Sequence, residues 1–210
     1  SLMSAPAAIL ISKVLVPETG EPETGQKGHV DVPIGTHNVV DAAVAGTGAG
    51  LNMALNVAAM IIVFVGFIHL LNILTPALTG FVTGGRLSFT FTTAMGYAFR
   101  PVAFLLGVAT KDVADVARLL GTKTVLNEFL AYIDLNYLRM ENVLSPRSVT
   151  IATYALCGFA NPGSLGIVMA GMNSLAPERR DDWVRLGWRT FLGGTLACFM
   201  TACIAGMLLV

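Results

Sequence analysis

Apolar residues fall along the chain in long blocks separated by short polar links, and the links delimit the elements. Residues 1–16 read as the last turns of a helix, stopped by Pro17. Residues 17–37 are the most polar stretch and hold a tandem echo, Pro17-Glu18-Thr19-Gly20 and Pro22-Glu23-Thr24-Gly25, residue types that mark a solvated loop. Residues 38–50 are small and Gly-rich, and predict a short interfacial helix. Residues 51–74 are the clearest membrane span, which Pro76 is expected to end, since about 20 apolar residues cross a bilayer. Residues 88–109, interrupted at Arg100-Pro101, and residues 116–138 are each marginal as a full crossing. Joined by the polar link 110–115, they predict a re-entrant helical hairpin that enters the membrane and returns. Residues 149–176 are an apolar block broken in its middle, and residues 188–210 are the last helix.

The break is Phe159-Ala160-Asn161-Pro162-Gly163-Ser164. In lipid, such a segment leaves backbone N–H and C=O groups without partners, and it survives only where protein or a water-filled cavity satisfies them. A discontinuous, unwound helix of this kind points to a substrate or ion site near the midplane of a secondary transporter. A plain proline kink without a ligand is the alternative.

Composition agrees with the pattern. The 210 residues are 54% hydrophobic and 12% charged, against roughly 25% charged in soluble domains. The fold class is therefore an all-α integral membrane protein, multi-pass, with spanning helices plus the re-entrant hairpin and the discontinuous helix. A net charge of zero offers nothing to a nucleic acid. Cys157, Cys198 and Cys203 lie in apolar segments without metal-ligand spacing and read as small core residues. The three histidines form no catalytic or metal pattern, and Gly163-Ser164-Leu165-Gly166 lacks the first glycine of a nucleophile elbow; an enzyme is not expected. Arg179, Arg180, Arg185 and Arg189 make the loop before the last helix cytoplasmic by the positive-inside rule. The chain opens on a helix end and stops within an apolar run, as expected of a piece of something longer.

A second polar constellation is Gly121-Thr122-Lys123-Thr124-Val125-Leu126-Asn127-Glu128-Phe129. If residues 122–138 are one helix, Leu126, Phe129, Leu130, Ile133 and Tyr137 form an apolar stripe. Lys123 with Asn127, and Thr124 with Glu128, then stand one turn apart on the other side. A carboxylate amid apolar residues costs on the order of 3 kcal/mol to insert, which marks Glu128 as a functional candidate; a structural ion pair with Lys123 is the alternative. Glu128 accepts hydrogen bonds, and Asn161 and Ser164 both donate and accept. These groups suit a neutral polyhydroxylated ligand such as a sugar or ribose, with Phe159 offering an aromatic face or edge.

At these residues the chain resembles the concentrative nucleoside transporter family. The motifs are Ser4-Ala5-Pro6-Ala7-Ala8 with Pro17-Glu18-Thr19, Gly121-Thr122-Lys123 with Asn127-Glu128-Phe129, Tyr154-Ala155-Leu156-Cys157-Gly158-Phe159-Ala160-Asn161, and Leu175-Ala176-Pro177-Glu178-Arg179-Arg180. The resemblance implies a cation-coupled symporter, driven by Na+ or H+, that brings nucleosides across the plasma or inner membrane as a homotrimer by alternating access. It further implies that this chain is the C-terminal portion and supplies the ribose half-site: Glu128, Asn161 and Ser164 on the sugar, Phe159 against the base, with Lys123, Thr124 and Asn127 in support and residues 51–74 as the scaffold helix at the trimer interface. The coupling-ion site is expected upstream, outside this chain, and no other cofactor or metal is implied. A passive nucleoside channel and a carrier for another polar solute are the alternatives. Where the family pattern has a further hydroxyl after Asn161, this chain has Pro162-Gly163, expected to stiffen the break.

Overall fold

Five side chains decide where helices begin. Asn38, Thr90, Asn127 and Ser145 each accept from a backbone N–H three residues on, and Asn161 does the same from Ser164 at 2.8 Å. Such caps satisfy orphan donors of the first turn. The computed structural model describes residues 2–20, 37–85, 88–175 and 177–209. These comprise α1 (Ser4–Leu15), α2 (Val39–Val82), α3 (Phe91–Leu105), α4 (Val113–Val125), α5 (Glu128–Met140), α6 (Pro146–Leu156), α7 (Pro162–Leu175) and α8 (Arg180–Leu208), with 3-10 turns at Thr110–Asp112 and Pro177–Arg179. All regular structure among the described residues is helical. Of the polar loop expected at 17–37, residues 21–36 lie outside the described residues.

Several boundaries differ from the sequence reading. The expected interfacial helix at 38–50 and the scaffold helix at 51–74 are one helix, α2, of 44 residues. Pro76 does not end it. Around the proline, Thr75 Oγ1 donates to the Leu71 carbonyl at 2.6 Å and Thr79 Oγ1 donates to Thr75 O at 2.8 Å, so threonine hydroxyls tie the backbone where proline removes a donor. Pro101 likewise sits inside α3. Both it and Tyr97, whose carbonyl it frees, are exposed, and the Arg100 guanidinium covers the Tyr97 ring at 4.3 Å.

The expected single helix over 122–138 is two helices. Leu126 and Asn127 separate α4 from α5, and Asn127 restarts the helix as the α5 cap. The predicted apolar stripe is correspondingly not the packed face: Phe129, Ile133 and Tyr137 are exposed, and α5 buries Ala131, Leu135 and Leu138 instead. In a membrane chain, large apolar side chains face outward at no cost, so hydrophobicity alone does not mark the inner face. The non-helical break is residues 157–161, and Pro162 opens α7. At a first helical position proline loses nothing, because its N–H would have no partner there. Pro162 therefore opens α7.

The packed centre lies among α3, α4, α5, α6 and α8. Val116, Leu119 and Leu120 of α4 meet Ile151, Ala152 and Leu156 of α6 in one buried cluster. A Cβ added at Gly121 would stand 3.1 Å from the Gly96 backbone nitrogen, so α3 and α4 approach through their glycines. Asp112 fixes the start of α6: its Oδ2 accepts from the Ser145 N–H at 3.0 Å and the Ser145 hydroxyl at 2.7 Å. Helix α2 stands apart; among its described side chains only Ile68 is buried. It is tied to α3 by Asn72, which donates to Thr92 Oγ1 at 2.9 Å and accepts from the Thr92 N–H at 3.0 Å.

Among the described residues, two segments are long and apolar enough to cross a membrane, Val65–Val82 within α2 and Arg180–Leu208. The helices between are short. At 1.5 Å per residue, the 13 residues of α4 or α5 reach about 20 Å, less than the ~30 Å hydrocarbon layer.

Candidate functional site

Two helix starts converge on one cavity. At the first, Asn127 Oδ1 accepts from the Leu130 N–H at 2.9 Å, so Glu128 is the first residue of α5. At the second, Asn161 and Ser164 cap α7 reciprocally. Ser164 N–H donates to Asn161 Oδ1 at 2.8 Å, Asn161 N–H donates to Ser164 Oγ at 3.0 Å, and the Ser164 hydroxyl donates to Asn161 O at 2.7 Å. This is the geometry of a capping box with serine in the returning position. Between the two starts, Asn161 Nδ2 donates to Glu128 Oε2 at 3.2 Å.

The cavity holds about 370 Å³, within the range of small-ligand sites. Asn127, Glu128, Asn161 and Ser164 are its polar lining residues, set among a mostly apolar surface that includes Phe129, Phe159 and Ile167. Val65 brings α2 to the same cavity. Asn161 and Ser164 are 3% and 4% exposed, whereas Phe159 is 55% exposed. The polar groups are thus held by the protein while the Phe159 side chain stays exposed. Both helix starts present N–H ends, whose partial positive charge complements the Glu128 carboxylate and ligand oxygens.

Of the residues singled out in the sequence, Glu128, Phe159, Asn161, Ser164 and Asn127 line this cavity. Lys123 and Thr124 do not. The α4–α5 break turns Lys123 away: its side chain is 1% exposed and its Nζ donates to the Ala155 carbonyl at 3.3 Å. Among the described residues Glu128 is in no ion pair, so the alternative of a Lys123–Glu128 salt bridge is not what the chain forms. Sequence reasoning missed Val65 and Ile167 because an apolar residue on a membrane helix carries no mark of which neighbour it faces. It also missed the capping role of Asn127, for which the signal was present: an Asn immediately before a carboxylate and an apolar run is a helix-start signature.

Residues 1–206 match the family model for the Na+ dependent nucleoside transporter C-terminus. Solute carrier family 28 member 3 of Rattus norvegicus is 40% identical over 225 residues, covering 99% of this chain and 31% of that protein. The uncharacterized transporter YutK of Bacillus subtilis (strain 168) is 40% identical over 208 residues, covering 99% and 50%. Sodium/nucleoside cotransporter 1 of Mus musculus is 36% identical over 224 residues, covering 100% and 34%. Among solved structures, CNTnw in an inward-facing substrate-bound state superposes with a TM-score of 0.77 at 36% identity, over 97% of this chain and 47% of that one. A CNTnw variant in a state termed intermediate 2 gives 0.86 at 36%, over 99% and 50%. The chain spans 31% to 50% of the length of these relatives. They are transporters, not enzymes.

Proposed function

Because the chain belongs to the Na+ dependent nucleoside transporter family, we propose that it forms the ribose-binding half of a nucleoside symporter working by alternating access. The observation that carries this reading is the Glu128–Asn161 pair, two polar side chains joined at 3.2 Å across the starts of α5 and α7. One Glu128 oxygen takes the Asn161 amide, and the carboxylate keeps acceptor capacity for sugar hydroxyls. Ser164, with its proton given to Asn161 O, keeps a lone pair that accepts from a further hydroxyl. Phe159 packs against the base, its ring open to the cavity. Asn127 holds Glu128 in place by starting α5. Lys123 and Thr124 lie outside the cavity and do not touch the ligand.

The re-entrant hairpin, expected over residues 88–138 with its link at 110–115, is on this reading the shorter pair α4 and α5 meeting at Leu126-Asn127, and α6 with α7 is the discontinuous helix. The exposed apolar side of α2, from Leu51 and Leu55 through Ile62, Phe67 and Leu74, is the scaffold at the interface of a homotrimer in the cell membrane. The coupling ion, Na+ or H+, binds upstream segments that the longer relatives possess.

The test is uptake of radiolabelled uridine by the full-length parent in proteoliposomes, with Na+ and H+ gradients imposed separately. Uphill accumulation under one gradient supports the symporter and names its ion. Equilibration without accumulation indicates a channel. No uridine uptake by folded protein, with purine nucleosides also refused, rejects the nucleoside reading.

A further inference from the structure

The carbonyl end of α6 is held by the hairpin, and this has consequences for the site that rest on the nucleoside reading above. A helix leaves its last four carbonyls without intrahelical partners; in α6 these belong to Thr153, Tyr154, Ala155 and Leu156. Tyr132 of α5 donates its hydroxyl to Thr153 O at 2.8 Å. Lys123 of α4 donates Nζ to Ala155 O at 3.3 Å. Cys157 N–H takes Tyr154 O at 3.2 Å as the chain turns out of the helix. Each arm of the hairpin thus supplies one side chain to the last turn of α6, immediately before the residues that carry Phe159 and Asn161.

Lys123 is the larger commitment. Its side chain is 1% exposed, and a cation buried in a membrane domain is costly unless it answers local charge. Here it does: Lys123, in the last turn of α4, reaches the last turn of α6, so its ammonium sits at the carbonyl end of α6. Its head also lies against the break. A Cβ placed on Gly158 would be 3.8 Å from Nζ, and Phe199 of α8 presents its ring 5.9 Å away. The helix starts of α5 and α7 face the cavity, and the helix end of α6 faces Lys123.

We propose that Lys123 and Tyr132 are positioning residues for the nucleoside, a brace by which the hairpin sets the path of residues 157–161 and so keeps Asn161 opposite Glu128. Neither residue touches the ligand. Loosening the brace lets the two helix starts drift apart while leaving each intact, so sugar recognition suffers before folding does.

The experiment compares wild type with Tyr132→Phe and Lys123→Met in the full-length transporter, normalised to folded protein. Tyr132→Phe removes one hydroxyl and keeps the ring. It is expected to raise the uridine KM roughly threefold to tenfold, as loss of a hydrogen bond does, with maximal uptake within about twofold of wild type. Discrimination between uridine and its 3′-deoxy analogue should narrow, and amide hydrogen exchange at residues 157–161 should quicken. Lys123→Met should do the same more strongly. A role confined to folding would instead lower the yield and maximal uptake for every nucleoside alike, with KM, discrimination and exchange unchanged; that result overturns the brace. The exchange measurement decides even if wild type refuses uridine, an outcome that would reject the nucleoside reading and not the brace.

Discussion

Glu128 and Asn161 are 33 residues apart in sequence and hydrogen-bonded in space, and the chemistry of each constrains the other. Replacing Glu128 by Gln preserves shape and one acceptor but removes the charge from the bond to Asn161 and from the ligand's hydroxyls. Charge-assisted hydrogen bonds contribute about 1.5–3 kcal/mol, so Glu128→Gln should weaken apparent uridine affinity roughly tenfold or more. Uptake kinetics across a substrate series check this, and unchanged values would remove Glu128 from the site. Gly158 is constrained differently. A Cβ there would stand 1.9 Å from Cys198 Sγ and 3.4 Å from Cys198 Cβ, so the break lies directly on α8. Gly158→Ala forces the thiol or the break to move, and overpacking of this kind costs about 1–3 kcal/mol. Cys198→Ala in the same chain should recover a large part of that loss in a thermal-melt comparison. No recovery would show that the glycine is needed for its backbone and not for the space.

Among the elements, the start of α6 depends on one carboxylate. Burial works to raise the Asp112 pKa, but the hydroxyls of Ser145 and Ser148, the Ser145 N–H and the nearby Lys111 charge overcome it and hold the group below the ordinary 3.8. A depressed folded-state pKa means that the ionised form stabilises the fold. The contribution is therefore whole above about pH 4, and is lost as pH falls through the folded value. Asp112→Ala should cost about 1.5–3 kcal/mol at neutral pH and should flatten the acid limb of the stability profile. Melting curves of both proteins between pH 3 and 7 test it; parallel acid limbs would mean that Asp112 does not set them. The same elements show what sequence patterning can resolve. The existence of α1, α8 and the interruption before α7 was legible, because polar and Gly/Pro residues interrupt apolar blocks there. The continuation of α2 through Pro76 was not, since a proline inside a membrane helix is tolerated wherever the surrounding structure answers the freed backbone groups, and local pattern does not show those surroundings. The division of 122–138 into two helices was missed for a related reason: Asn127 was weighed as a ligand group when its side chain ends up spent on the Leu130 N–H.

For the molecule as a whole, the arrangement separates a helix that stands alone from a packed group that holds the cavity. Helix α2 meets that group through the Asn72–Thr92 clasp and through Val65 at the cavity wall. Interhelical hydrogen bonds in membranes contribute about 0.6 kcal/mol on average, rarely above ~1.7. Asn72→Leu should therefore lower stability by about 1 kcal/mol, with the uridine KM staying within about twofold, because none of the polar residues lining the cavity belongs to α2. A larger shift in KM would mean that the clasp is coupled to the site.

The amino-acid sequence alone was sufficient for the membrane class, the helical composition, the family resemblance, and the identity of Glu128, Phe159, Asn161 and Ser164 as the groups worth watching. Each of those follows from residue type and local spacing: length of apolar runs, placement of Pro and Gly, a carboxylate where carboxylates are costly. Tertiary packing settled what those groups face. It turned Lys123 from the cavity to the end of α6, made Ser164 a partner of the Asn161 backbone, and brought Val65 to the wall. Those outcomes depend on which helix end lies beside which, and backbone groups left open at a helix terminus accept whatever donor the fold delivers, however distant in sequence. Local pattern carries no record of that neighbour.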